Sequence, residues 1–125
     1  MTKRMIEVDD VLPRCVESAI EQVEELLREY IADNECDETP DLGNDLDYDG
    51  RVHEIVDGAV PVYAREIEAA WFLHGRELEQ AYENAGAGSN PRENDGMAAI
   101  YYYISEAVAV WYSRNAEKIT KETAK

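Results

Sequence analysis

The sequence predicts an all-α fold in a single domain. Apolar residues recur at steps of three and four along most of the chain, which is the spacing of one helix face. No stretch alternates between apolar and polar residues in the way a half-buried strand does. The chain has 125 residues, enough for one domain with a core of its own. We therefore expect about four helices, one of them short.

The first helix is predicted over residues 9–33, where the apolar spacing is sustained. Asp9 or Asp10 is expected to cap this helix, and Pro13 is tolerated in its first turn. The face opposite the apolar residues is acidic, because glutamates recur along it at helical spacing. One outward stripe on this face is formed by Glu17, Glu21 and Glu24.

The rest of the chain is predicted as a loop, a pair of helices and a last helix. Residues 34–50 are rich in turn residues and form an acidic loop. A short and a longer helix follow over 51–83, with Pro61 in the first turn of the second one and Gly75 ending or kinking it. After a flexible connection, a C-terminal helix is predicted over 96–120.

The aromatic residues are too many for one core face. The tyrosines at 101–103 are consecutive, so at least one of them must lie outside the main apolar stripe of its helix. Trp71 and Phe72 likewise cannot both face one core. They either cover loops or form a contact between two copies of the chain. We expect a homodimer, with Trp71, Phe72 and Glu68 as candidate contact residues.

The charge of the chain is strongly negative and unevenly distributed. The formal net charge is −16. Residues 1–60 contain 18 acidic and five basic side chains, whereas residues 61–125 contain 10 and seven. This balance argues against direct binding to nucleic acid and favours a partner with a cationic surface. A solvated acidic surface that keeps the protein soluble is the alternative explanation.

Several features bear on the compartment. No stretch is apolar enough to span a membrane, and the N-terminal residues MTKRMIEVDD lack the apolar core of a signal peptide. Cys15 and Cys36 show no metal-binding or redox spacing. A reducing cytoplasm is the compartment that we expect.

A segment beginning at Asp45 resembles the start of a calcium-binding EF-hand loop. Asp45, Asp47, Asp49 and Gly50 occupy its first, third, fifth and sixth positions. The twelfth position requires a glutamate that binds the ion with both oxygens, and here it is Val56. We therefore expect no metal site, and we interpret the aspartates as acids placed near the positive end of a helix dipole.

Two enzymatic interpretations remain as alternatives. Glu21 and Glu24, with Glu54 and Asp57, resemble the paired acidic motifs by which all-α nucleotide pyrophosphohydrolases hold magnesium. His53, followed by Glu54 and Asp57, partly resembles a zinc-protease helix but lacks a third ligand. No serine or cysteine has a base at a spacing suited to nucleophilic catalysis. We expect no catalytic residue and no cofactor.

Two segments resemble the Ocr-type antirestriction proteins of bacteriophages. They are DYDGRVHEIVDGAVPVYAREIEAAWFLHGREL, residues 47–78, and IYYYISEAVAVWY, residues 100–112, which together cover somewhat under half of the chain. The resemblance implies an Ocr-like all-α fold, a homodimer and DNA mimicry, in which surface carboxylates imitate DNA phosphates and occupy the DNA site of a host restriction enzyme. The carboxylates that would act in this way are Glu17, Glu21, Glu24, Asp37, Glu38, Asp41, Asp45, Asp47, Asp49, Glu54 and Asp57.

The chain departs from the Ocr pattern at its C-terminus. Ocr-type proteins end in a dense acidic tail, whereas residues 113–125 read SRNAEKITKETAK and are close to neutral. An imitation of DNA would therefore be centred on the first half of the chain. The target could be another phage-defence or DNA-handling enzyme, and a protein of the same fold without mimicry remains a further alternative.

Overall fold

The computed structural model describes residues 10–86 and 96–124, and these residues form four α-helices and no strand. The helices are α1 (Leu12–Asn34), α2 (Arg51–Ala59), α3 (Ala64–Asn84) and α4 (Gly96–Thr123). The segment between α1 and α2 contains one π-helical turn, Leu42–Leu46. The prediction of an all-α fold is therefore confirmed.

The last helix is the centre of the structure. Both α1 and α3 pack along α4, while the short α2 rests on α1 and α4 together. Ile100, Ile104 and Val108 of α4 are almost completely buried where these helices meet. The core is completed from α1, α2 and α3 by Leu12, Ala19, Val23, Leu27, Ile31, Val56, Ala70 and Leu78, all almost fully buried.

The central position of α4 explains its aromatic residues. Because neighbours surround α4 on several sides, all three tyrosines at 101–103 are half-buried. Tyr101 and Tyr102 meet edge to face with ring centroids 5.5 Å apart, and Tyr102 meets Tyr82 of α3 at 6.0 Å. Near the end of α4, Tyr112 is more deeply buried than its neighbour Trp111.

The start of α1 differs from the prediction. Val11 is the N-cap residue and no side chain caps the helix, although Pro13 does lie in its first turn. Asp10 instead binds His74 of α3, with Oδ1 2.9 Å from Nε2. Asp9, the other predicted cap, lies outside the described residues. A contact between distant segments has thus replaced the local cap.

The start and the kink of α3 also depend on local backbone restrictions. Tyr63 is the N-cap of α3, so Pro61 lies before the helix and not in its first turn as predicted. Val60 is extended, which is the conformation favoured for a residue that precedes proline. The non-helical φ and ψ angles inside α3 are those of His74, next to Gly75, where the sequence predicted an end or a kink.

None of the helices in the described part of the chain combines the length and the apolar character needed to cross a lipid bilayer.

Candidate functional site

Most of the carboxylates proposed as phosphate mimics point into solvent. Glu24, Asp45 and Asp47 are half-buried. The remaining eight are exposed, namely Glu17, Glu21, Asp37, Glu38, Asp41, Asp49, Glu54 and Asp57. The high charge of the first half of the chain is therefore a property of its surface.

Few cations neutralise these acids. Glu24 is paired with Arg28 at 2.9 Å, one turn further along α1. Arg28 also donates to the Thr123 hydroxyl at 3.0 Å and lies 3.9 Å from a carboxylate oxygen of Glu122. Among the described residues, none of the other ten acids makes an ion pair. Within the described part of the chain, these ten carboxylates are therefore not neutralised by direct contact with a cation.

The acids of α1 are divided between two sides of the helix. Glu24 is directed through Arg28 towards the end of α4. On the other side, Glu25 and Glu29 face α2 across a cleft of about 400 Å³, where Glu54 is their counterpart. The described residues that line this cleft are Gln22, Glu25, Leu26, Glu29, Arg51, Glu54 and Ile55. Glu17, Glu21 and Glu24 do not line it.

Sequence reasoning missed Glu25 and Glu29 as partners of Glu54. The signal was available, because Gln22, Glu25, Leu26 and Glu29 follow the spacing of a single helix stripe. That spacing alone could not show that this stripe faces α2. The acidic surface consequently includes Glu25 and Glu29 in addition to the predicted residues.

The acidic loop is attached to the core by the buried side chain of Leu46 and by a long-range hydrogen bond. The Tyr112 hydroxyl of α4 donates a hydrogen bond of 2.6 Å to the Pro40 carbonyl, and both residues are buried. Burial raises the pKa of Tyr112, and the carboxylates of Asp41 and Asp45 raise it further. Beside this contact, Asp45 and the acids of residues 37–38 line a second cleft, of about 470 Å³.

Two loop aspartates hold the π-helical turn together. The Asp41 carboxylate accepts the N–H of Asn44 at 2.7 Å, and the Asp45 carboxylate accepts the N–H of Asp41 at 2.7 Å. These reciprocal hydrogen bonds fix the backbone on which the exposed acids of the loop are carried. Asp41 and Asp45 therefore have a structural role whether or not a partner binds.

In the EF-hand-like segment, Asp47 contacts the start of the helix that follows it. The Asp47 carboxylate accepts the backbone N–H of His53, in the first turn of α2, at 3.0 Å. This contact is the helix N-terminal role predicted for Asp47. Across residues 10–86 and 96–124, no group of three or more histidine, cysteine, aspartate or glutamate side chains is placed to hold a metal ion.

The structure places the residues of the two enzymatic alternatives in different surroundings. Glu24 binds Arg28, while Glu54 lies in the cleft that Glu21 and Glu24 do not line. The ring of His53 is 2.6 Å from the Tyr101 hydroxyl, measured from Nδ1. One ring nitrogen of His53 is therefore engaged by α4.

The three candidates for a contact between copies have different environments. Trp71 is only 6% exposed, and its Nε1–H donates to the Gly96 carbonyl at 3.2 Å, so its ring is occupied within its own chain. Phe72, by contrast, is 74% exposed, and Glu68 is exposed on the same face of α3. Trp71 is thus unavailable to a second copy.

Comparisons of the chain with protein-family models, with curated proteins and with solved structures give no match. The likeness to Ocr-type proteins accordingly stays a prediction from the segments quoted above.

Proposed function

We propose that this protein is a DNA mimic of phage origin without catalytic activity. It binds the DNA site of a host enzyme that handles DNA, such as a restriction enzyme, and inhibits that enzyme by competition. The observation that carries the proposal is the exposure of eight predicted acids, none of which is neutralised by a cation in the described structure. A protein that reads phosphates with lysine and arginine would meet a comparable field here.

The number and spacing of the charges support this interpretation. The 23 residues of α1 extend over about 35 Å, at about 1.5 Å per residue. A DNA-binding protein commonly contacts about 6–10 phosphates, each of which releases counterions. The eight exposed acids of the predicted set fall within this range. Only two of these eight acids, Glu17 and Glu21, lie on α1, so the loop and α2 are required for a surface of this size.

The loop has the fixed backbone that such a surface needs. Phosphates of duplex DNA are held at regular intervals, so carboxylates on a mobile chain would lose conformational entropy when they bind the same partner. The bond from Tyr112 to the Pro40 carbonyl and the reciprocal bonds of Asp41 and Asp45 hold residues 40–45 in place. These contacts support an ordered array of acids in preference to a merely soluble acidic surface.

Competition by DNA tests the proposal directly. The immobilised protein is exposed to bacterial lysate, and the retained proteins are eluted with duplex DNA or with increasing salt. We expect duplex DNA to release a DNA-binding enzyme. We also expect the affinity for the retained enzyme to fall steeply between 50 and 200 mM salt, as it does for DNA binding. Retention that is insensitive to both treatments would exclude mimicry.

A pair of matched variants tests which acids act. Glu25, Glu29 and Glu54 are changed together to glutamine in one variant, and Glu77, Glu83 and Glu117 in the other. Both variants alter the net charge equally, and neither removes the structural bonds of the loop. We expect only the first to weaken partner binding, because its acids surround the cleft between α1 and α2. Equal effects would indicate that net charge alone matters.

A single-residue series completes this test. Each glutamine substitution made alone should cause a small and graded loss, because many charges act through one shared field. A single substitution that abolishes all binding and inhibition of the partner would favour a catalytic or metal site over a mimic.

A further inference from the structure

Tyr48 is an exposed aromatic residue that neither packing nor turn chemistry explains. Its side chain is 88% exposed, the largest value among the exposed large apolar side chains of the described residues. It lies in the turn before α2, which is closed by a hydrogen bond of 3.0 Å from the Gly50 N–H to the Asp47 carbonyl. Glycine, proline, asparagine, aspartate and serine are the residues that turns favour. An aromatic ring held in solvent at this position is therefore a candidate contact for a partner.

The backbone that carries Tyr48 is held to the rest of the structure. Two residues earlier, the side chain of Leu46 is 2% exposed and belongs to the core. The Asp47 carboxylate accepts the N–H of His53 in α2 at 3.0 Å, and the His53 ring in turn lies 2.6 Å from the Tyr101 hydroxyl of α4. Tyrosine has only two side-chain torsions to order, so a ring on a fixed backbone loses little conformational entropy when it binds. Tyr48 is therefore presented to a partner in a prepared position.

The residues around Tyr48 in the chain give this position a negative field. Asp47 and Asp49 flank it directly, and Asp45 lies three residues before it. None of these three aspartates forms an ion pair with another residue that the structure describes. Residues 33–57 contain ten acidic side chains and a single arginine or lysine. The face of an aromatic ring itself carries partial negative charge, so the ring and the acids together attract a cation.

Of the two common cationic side chains, arginine fits this position better than lysine. Its guanidinium is planar and weakly hydrated, so it stacks on an aromatic face and gives up its water at low cost. Its N–H groups point outward in the plane of the group, where carboxylates accept them. An ammonium is compact and strongly hydrated, and it gains less from a ring that stays partly in water. An exposed ring between acids therefore distinguishes the type of cation as well as its charge.

We propose that Tyr48 is an arginine-recognition residue, whose ring stacks on the guanidinium of an arginine of the partner. The carboxylate of Asp49, exposed and next to Tyr48 in the chain, accepts N–H bonds from the same guanidinium. The arginine belongs to the site at which the target enzyme reads DNA phosphates, and this identification rests on the proposed function. The acids supply an attraction that any cation feels, whereas Tyr48 adds selectivity for arginine.

Binding of two short peptides to the full chain tests this selectivity. Tetraarginine and tetralysine carry equal charge, and each is titrated by isothermal calorimetry at low salt, where surface charges are least screened. Tyr48→Ala should weaken the binding of tetraarginine by about two- to fivefold, the size of one exposed cation–π contact, and leave that of tetralysine unchanged. Tyr48→Phe keeps the ring face and should retain the affinity for tetraarginine. Tyr48→Leu keeps only an apolar side chain and should behave like Tyr48→Ala.

Tyr63→Ala is the matched control, because Tyr63 is 70% exposed at the N-cap of α3, outside the acidic loop. It should leave the binding of both peptides unchanged, and circular dichroism checks that each variant stays folded. NMR of the bound tetraarginine gives a second measurement. We expect a ring-current shift of its side-chain protons with the unaltered chain and none with Tyr48→Ala.

Three results would each overturn the proposal. They are an unchanged affinity of Tyr48→Ala for tetraarginine, an equal loss of affinity for both peptides, and full binding of tetraarginine by Tyr48→Leu. The peptides contain no DNA-binding enzyme, so this outcome is separate from the test of mimicry. If the peptides behave as expected but duplex DNA releases no protein retained from lysate, arginine recognition stands and the proposed function fails. If duplex DNA releases an enzyme but Tyr48→Ala binds tetraarginine normally, mimicry stands and this inference fails.

Discussion

Replacement of Tyr112 by phenylalanine tests a buried hydrogen bond that joins the acidic loop to the core. The substitution removes the hydroxyl and keeps the ring, so the packing of α4 is preserved. The lost bond, 2.6 Å long, goes to the Pro40 carbonyl in a buried site. A typical hydrogen bond contributes about 1 kcal/mol, and an unsatisfied buried acceptor costs about 1–3 kcal/mol. We expect the free energy of unfolding to fall by about 1–2 kcal/mol.

The same substitution changes the response to alkaline pH. Burial and the nearby carboxylates raise the pKa of Tyr112 in the folded state, so folding favours the protonated phenol. The contribution of this group to stability is fully present below about pH 10, the ordinary pKa of tyrosine. It declines as the pH rises from there towards the raised pKa, by about 1.4 kcal/mol for each pH unit. Tyr112→Phe should remove this part of the decline.

Urea denaturation followed by circular dichroism, at pH 8 and at steps from pH 10 to 11.5, measures both effects. The difference in slope between the two proteins belongs to Tyr112, because other tyrosines titrate in both. Tyr48→Phe serves as the control, since Tyr48 is 88% exposed and should change neither quantity. If Tyr112→Phe left both the stability at pH 8 and the alkaline slope unchanged, the bond to Pro40 would not anchor the loop.

Two further predictions concern local contacts, and each has a control within the chain. Asp47→Ala removes an acceptor for a backbone N–H in the first turn of α2, so it should lower stability by about 1 kcal/mol, whereas Asp49→Ala at an exposed position should change it little. A difference of less than about 0.3 kcal/mol between them would contradict the capping role. Gly96→Ala places a Cβ 2.9 Å from Nε1 of Trp71, so we expect a loss of about 1–2 kcal/mol. Gly58→Ala meets no atom within 4 Å inside a helix, and it should stabilise the protein by up to about 1 kcal/mol. Thermal unfolding compares the two variants. An increase in the stability of both would show that the Trp71 ring moves aside without cost.

The candidate surface shows where prediction from sequence reached its limit. The composition showed that most acids lie in the first half of the chain. The helical period correctly predicted that Glu17 and Glu21 lie on the outward side of α1. The same period left open which flank of α1 would meet α2. Packing decided this, and Glu25 and Glu29 face Glu54 as a result. Which flank of α1 meets α2 depends on how the core residues of three helices pack together. The sequence of a single helix does not contain this information.

Long-range hydrogen bonds were equally inaccessible to sequence reasoning. Asp10 had every property of a helix cap, yet its carboxylate binds His74, 64 residues away. Tyr112 and Pro40 are separated by 72 residues, and neither position has a local signal that names the other. Such pairs form because the fold brings a donor and an acceptor together, and polar groups that become buried are paired by hydrogen bonds.

The amino-acid sequence alone determined that this protein is all-α, that most of its negative charge lies in the first half, and that α3 would end or kink near Gly75. These properties follow from helical periodicity, composition and backbone restrictions, which act over a few residues. Only the tertiary structure decided that α4 is central, that Trp71 is buried while Phe72 is exposed, and which acids share a cleft. The physical reason is that burial and the distances between charges depend on how the helices pack. Packing must bury the apolar faces of all the helices at the same time.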